Sequence, residues 1–226
     1  MSPEVLVSAE RKKNLVGQPA IAAIKEIARR NRAIRAICIS RILEQHHFYP
    51  IWLEREAILH EEAIEHTVEQ VRKISSIGEK QAFVFFSRVR LDRLLPPRYG
   101  YIPMIDFSGQ PYSYSQHRPL PWMPWILFRA GRHLRKIGQT EGIIARTDQS
   151  VHYIGINPMT ERERAVFYKD VRCFPEIRVG SNGKPLLRPD EKWLDKTEKS
   201  RYQSLRFTDG LHRGVLKQEP VIIATL

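Results

Sequence analysis

The sequence predicts an α+β protein: an N-terminal helical hairpin followed by a C-terminal unit with antiparallel hairpins and helices. Two observations carry that expectation. Apolar residues recur at helical spacing from Pro19 to about Ile77. Beyond Gly78, short β-branched and aromatic runs bounded by turn residues are interspersed with further helical stretches. The division this suggests is a hairpin region over 1–78 and an α+β region over 79–226, which together can form one continuous domain.

The elements follow in order. From Pro19 to about His46, Ile21, Ile24, Ile27, Ala28, Ile34, Ile37, Cys38 and Ile42 mark one helical stripe. Pro19 suits a first turn, and Asn31 falls on the stripe, so the segment is either one long helix or two with a break near Asn31. A second helix is expected from Ile51 to about Ile77, stopped by Gly78. Phe83 to Leu91 reads as a strand, apolar on both faces at its start. Residues 96–124 hold seven of the fifteen prolines and six aromatics, which predicts a long irregular but ordered loop. A third helix runs from Pro124 to Ile137, with Gly138 just past its end. Gly142 to Ile156 reads as a hairpin turning around Thr147–Ser150. Asn157 is the expected N-cap of a helix reaching Val171, with Pro158 at its first position. Residues 176–179 and 185–188 flank a Gly-Ser-Asn-Gly turn. Asp190 caps a charged helix expected to reach Phe207, and Val221 to Leu226 forms a terminal strand.

The 226 residues carry 37 Lys and Arg against 25 Asp and Glu, a formal net charge of +12. That balance points to a polyanionic partner. The charge is blocked. Glu10 to Glu44 holds nine basic and three acidic residues, Ile51 to Gln70 one Arg and six Glu, and Arg118 to Arg146 six basic residues and one acid. Two basic blocks flanking an acidic one suggest one surface for phosphate and another, the acidic helix 51–70, for a second protein subunit.

Two cysteines, Cys38 and Cys173, exclude a disulfide scaffold and a four-cysteine zinc site. Met1 to Lys13 has no apolar signal core, and Pro121 to Phe128 is far shorter than a membrane span. A cytoplasmic protein with reduced thiols and no membrane partner is expected.

Candidate binding residues fall into three groups. Arg29, Arg30, Arg32 and Arg35 place four guanidiniums within seven residues, a chemistry suited to phosphate. In the helix after Pro124, Arg129, Arg132 and Lys136 share one face, with Arg135 and His133 on its flanks. The preceding Pro/aromatic loop adds Arg118 and the rings of Tyr112, Tyr114 and Trp122. Cations beside flat rings are what an unpaired nucleic-acid strand requires, since bases stack while phosphates are neutralised. Arg146, His152 and Tyr153 on the following hairpin form the third group.

Catalytic motifs are absent. His60 and His66 are six apart, not the four that a zinc-protease helix needs. There is no phosphate-binding glycine loop and no nucleophile elbow. No cofactor or metal is called for. The leading expectation is a non-catalytic nucleic-acid-binding subunit of a nucleoprotein complex, preferring single-stranded or unpaired substrate, DNA or RNA. The alternatives are a metal-independent nuclease or RNA-processing factor using His46, His47, His117 or His152, and a helix-turn-helix regulator with residues 34–45 as recognition helix.

Overall fold

The computed structural model describes residues 15–41, 50–60, 63–74, 82–92, 96–108, 123–147, 150–178, 185–200, 203–208, 210–212 and 215–226. Its elements, in chain order, are α1 (Ile21–Arg30), β1 (Ala36–Arg41), β2 (Ile51–Glu54), α2 (Arg55–Leu59), α3 (Ala63–Ile74), β3 (Phe83–Arg90), β4 (Tyr99–Tyr101) and β5 (Met104–Ser108). There follow α4 (Met123–Lys136), β6 (Gly142–Arg146), β7 (Val151–Gly155), α5 (Glu161–Arg172), β8 (Ile177–Arg178), β9 (Pro185–Pro189), α6 (Glu191–Ser200), β10 (Ser204–Arg206), β11 (Gly210–His212), β12 (Val215–Lys217) and β13 (Val221–Thr225). The class is α+β, as the composition of elements predicts.

Two antiparallel sheets organise the molecule. The first runs β10-β3-β1-β2, with β4 also paired to β3; the second runs β13-β6-β7-β5-β9-β8. β4 belongs to the first sheet and β5 to the second, so the chain passes directly between them at Ile102 and Pro103. One core is shared by α1 and both sheets: Ile24 and Ile27 join Ile37 and Phe85 of the first sheet and Ile143 and Ile154 of the second. This core contains residues from both sides of Gly78. A second core lies on the opposite face of the six-stranded sheet, where Ile126 and Leu134 of α4, Phe167 of α5 and Leu194 of α6 meet Phe107, Ile144 and Tyr153.

Several expected elements change type. The helix expected to reach His46 ends at Arg30. Asn31 caps it, its backbone and side-chain amides both donating to the Ile27 carbonyl, and its side chain also to the Ile156 carbonyl. Ala36–Arg41 is then a strand, which removes the recognition helix over 34–45 within its described part. The reason is burial on both faces: Ile37 and Ile39 are fully enclosed and Cys38 is 5% exposed. An amphipathic helix buries one stripe, whereas a central strand of β-branched residues buries both sides. β1 is central, paired with β2 and β3.

The single helix expected over 51–77 is a strand, a short helix and α3, with His60 extended between the helices. The acidic segment 51–70 is therefore not one helix. Glu54 pairs with Arg90 and Glu65 with Lys25, so part of its charge is used within the fold. The irregular loop expected over 96–124 contains β4 and β5. The prolines there bound the strands rather than exclude them: Pro103 sits between the two and accepts from the Gly155 amide.

Among the later elements, α4, the β6–β7 hairpin and β13 keep the type and place expected, whereas α5 and α6 shift their ends. Gly138 ends α4 in the left-handed region (φ 81°), with Gln139 N–H donating to Leu134 at 2.9 Å. α5 starts three residues later than Asn157 suggests, because Thr160 and Glu163 form a reciprocal capping box. Asp190 does cap α6, accepting from Trp193 N–H at 2.8 Å. That helix stops at Ser200, and residues 204–206 leave it to pair with β3.

Candidate functional site

The cationic groups separate once their partners are known. Glu26, 8% exposed on α1, accepts from Arg29 at 2.7 and 2.8 Å and from Arg30 at 2.5 Å. Arg30 also reaches Glu141 at 3.1 Å. Burial pushes the Glu26 carboxyl upward, but the hydrogen bonds and charges of both arginines outweigh it and hold it below the ordinary carboxylate value. Arg29 and Arg30 thus neutralise a buried carboxylate. Arg32 and Arg35 lie outside the helix and are exposed.

α4 differs. Ile126, Ala130 and Leu134 hold its inner stripe in the second core. Arg129, Arg132, Arg135 and Lys136 are all exposed, and none forms a salt bridge with a described residue. Two apolar rings share this outer face: Trp125 is 41% and Phe128 64% exposed. Arg129 lies 5.7 Å from the Trp125 ring centroid. The field is concentrated enough to act on His133, which is held below its ordinary pKa by burial and by the charges of Lys136, Arg129 and Arg132. Arg146 is half-buried at the end of β6. Arg118, Tyr112, Tyr114 and Trp122, like His46, His47 and His117, lie outside the described residues.

A second constellation forms where the two sheets approach each other. Asp106 of β5 and His152 of β7 are register partners and point to one face. His152 Nε2 lies 3.5 Å from Asp106 Oδ1. Asp190 follows β9, and its N–H donates to the Asp106 carbonyl at 2.8 Å. Arg206 enters from the first sheet, its guanidinium held by the carbonyls of Thr208 and Gln218. Burial and the Asp190 charge raise the Asp106 pKa to about 7, against the hydrogen bond from Ser150 and the charge of Arg206. Burial and Arg206 lower His152 to about 3.

These directions fix the chemistry of the pair. At neutral pH His152 is an uncharged imidazole, and Asp106 is poised between its two protonation states. Their 3.5 Å approach is therefore neither an ion pair nor, at that distance, a hydrogen bond. Asp106 Oδ1 and His152 Nδ1 are both shut off from solvent without hydrogen-bond partners. A neutral, deeply buried imidazole keeps only a weakly acidic N–H, so His152 lacks the readily donated proton of the imidazolium that serves as general acid in histidine-driven cleavage. Among the described residues no group of three or more His, Cys, Asp or Glu side chains is arranged to hold a metal ion.

Sequence patterns single out His152 but not Asp106, Asp190 or Arg206. The signal for Asp106 is the alternation Met104-Ile105-Asp106-Phe107, a strand with one carboxylate on an otherwise apolar face. The signal for Asp190 is its capping position. Neither shows by spacing that two residues 84 positions apart in the chain meet.

No family model matches the sequence, and no curated protein matches it. Among solved structures, the polymerase domain of Mycobacterium tuberculosis ligase D in complex with DNA is similar over 92% of this chain and 77% of that one, at 10% sequence identity and a TM-score of 0.44.

Proposed function

We propose that this chain is a nucleic-acid-binding protein that holds the phosphate backbone on the outer face of α4. The observation that carries the proposal is the contrast between the two arginine clusters. Arg29 and Arg30 are neutralised by Glu26 and Glu141, while Arg129, Arg132, Arg135 and Lys136 keep their charge facing solvent beside Trp125 and Phe128. Each phosphate neutralised by such a face releases counterions, which supplies affinity without sequence preference. The preference for unpaired strands and a place in a larger nucleoprotein assembly belong to the same proposal. Fluorescence anisotropy with single-stranded and duplex DNA and RNA, over a range of salt, tests it. Binding that is absent at low salt, or insensitive to salt, sinks it.

A second reading is favoured by the Asp106–Asp190 junction. Asp106 and Asp190, joined through their backbones and close enough for the Asp190 charge to act on Asp106, suit phosphoryl transfer on a bound nucleic acid. The two carboxylates do not enclose a cation by themselves. Mg²⁺ or Mn²⁺ commonly binds through one or two carboxylates, with substrate phosphates and waters completing the shell. The cation would supply charge neutralisation at phosphate, and Asp106 and Asp190 would anchor it. Incubating the protein with a labelled oligonucleotide, nucleoside triphosphates and Mg²⁺ or Mn²⁺ distinguishes the outcomes: shortening means hydrolysis, lengthening means transfer. Unchanged substrate with both cations removes this reading and leaves the binding proposal standing.

A further inference from the structure

The pairing of the five-stranded sheet places one set of side chains on the face turned away from the shared core. Val84, Phe86, Arg88 and Arg90 alternate onto that face of β3, opposite Phe83, Phe85 and Val89. Register then adds neighbours to the same face. Trp52 pairs with Cys38, Glu54 with Ala36, Tyr99 with Arg90, and Arg206 with Val84. The buried floor is Cys38, Val84 and Phe86.

Above that floor, rings and guanidiniums are interleaved. Trp52 and Tyr99 lean toward one another across the sheet until their centroids are 6.0 Å apart. The Arg88 guanidinium lies 3.5 Å from the Tyr99 centroid, and that of Arg90 lies 5.6 Å from the Trp52 centroid. Arg90 is balanced by Glu54, whereas Arg88 forms no salt bridge with a described residue. Both rings remain partly exposed. At the other end of this face Arg206 is buried, with its guanidinium on the carbonyls of Thr208 and Gln218. From the Val84–Arg206 pair to Arg90 is six residues, about 20 Å at ~3.3 Å per residue.

We infer that this sheet face is a track for one unpaired nucleic-acid strand, with bases stacking at Trp52 and Tyr99 and phosphate meeting Arg88. The inference rests on the nucleic-acid proposal above and names where an unpaired strand lies. Two neighbouring rings with a guanidinium beside them fit consecutive bases of a strand better than a free nucleotide. A duplex presents no open base faces to these rings, so the occupant is single-stranded.

The test uses the full chain and a single-stranded oligonucleotide of about 12 nucleotides carrying 5-iodouracil. Photocrosslinking of the unmodified protein is expected to label peptides containing Trp52 or Tyr99. Trp52→Leu and Arg88→Gln are each expected to weaken binding by roughly 5- to 100-fold, with duplex affinity unchanged. If the oligonucleotide binds but crosslinks map only to α4 and both variants bind normally, the track is overturned and the α4 proposal survives. If a mononucleotide competes as well as the oligonucleotide, the strand assignment is overturned. If the unmodified protein binds no oligonucleotide, both fall. Crosslinking needs no substitution, so a variant that misfolds does not decide the matter.

Discussion

The backbone N–H of Asp190 donates a 2.8 Å hydrogen bond to the carbonyl of Asp106. That one bond ties the residue that caps α6 to the middle of β5, and it brings the Asp190 charge near enough to act on Asp106. Burial of the Asp106 carboxyl, and after it the neighbouring Asp190 charge, favour its protonated form. Its pKa is raised to about 7.

The pH dependence of stability follows from Asp106 and His152 together. Asp106 binds its proton more tightly in the fold than at its ordinary 3.8, so its contribution is complete below about pH 4 and is lost as pH rises to about 7. His152 falls from 6.5 to about 3, so its contribution is present above about 6.5 and is lost as pH drops toward 3. Between pH 4 and 6.5 the two slopes oppose. Asp106→Asn removes one of them. Its stability is expected to rise with pH across that window by up to about 1.4 kcal/mol per pH unit, while the unmodified protein stays nearly level. Urea melts at several pH values check this, and parallel profiles would show that Asp106 is not the titrating group.

Replacing Arg129, Arg132 and Lys136 together by Gln is expected to weaken nucleic-acid binding uniformly across sequences. The slope of log K against log[salt] is expected to fall in magnitude by roughly 0.7–0.9 for each phosphate that the helix no longer neutralises. Because these side chains are exposed, melting temperature is expected to change little. An unaltered slope would remove α4 from the interface.

Glu26→Gln leaves Arg29 and Arg30 without their shared carboxylate. A cost of about 1–3 kcal/mol is expected, with little change in nucleic-acid affinity. Chemical denaturation and a binding titration on the same variant provide the comparison. A gain in affinity after this substitution would mean that the freed arginines can serve phosphate after all.

Thr160→Ala removes the capping hydroxyl that accepts from Glu163 N–H at 3.3 Å. A loss of about 1 kcal/mol is expected. Hydrogen exchange is expected to quicken in the first turn of α5 and not in β7. Unaltered protection there would show that the cap adds nothing measurable.

Features that depend on local chemistry were legible in the sequence. The apolar period and flanking glycine located α4, the Thr147–Ser150 turn joined β6 to β7, and the charge balance pointed to a polyanion. Spacing also placed Arg129, Arg132 and Lys136 on one helix face, because that relation depends on nothing else. Tertiary structure decided the rest. Ile37, Cys38 and Ile39 fit either a helix stripe or a doubly buried strand, and pairing with β2 and β3 on both sides selects the strand. Arg29 has Glu26 on the preceding turn and Arg129 has no such acid, but only the fold buries that carboxylate and commits Arg29 and Arg30 to it. Asp106, His152, Asp190 and Arg206 come from four segments joined by no spacing rule. They meet because an antiparallel register aligns β5 with β7, β9 delivers Asp190 to Asp106 in the middle of β5, and β10 carries Arg206 in from the other sheet.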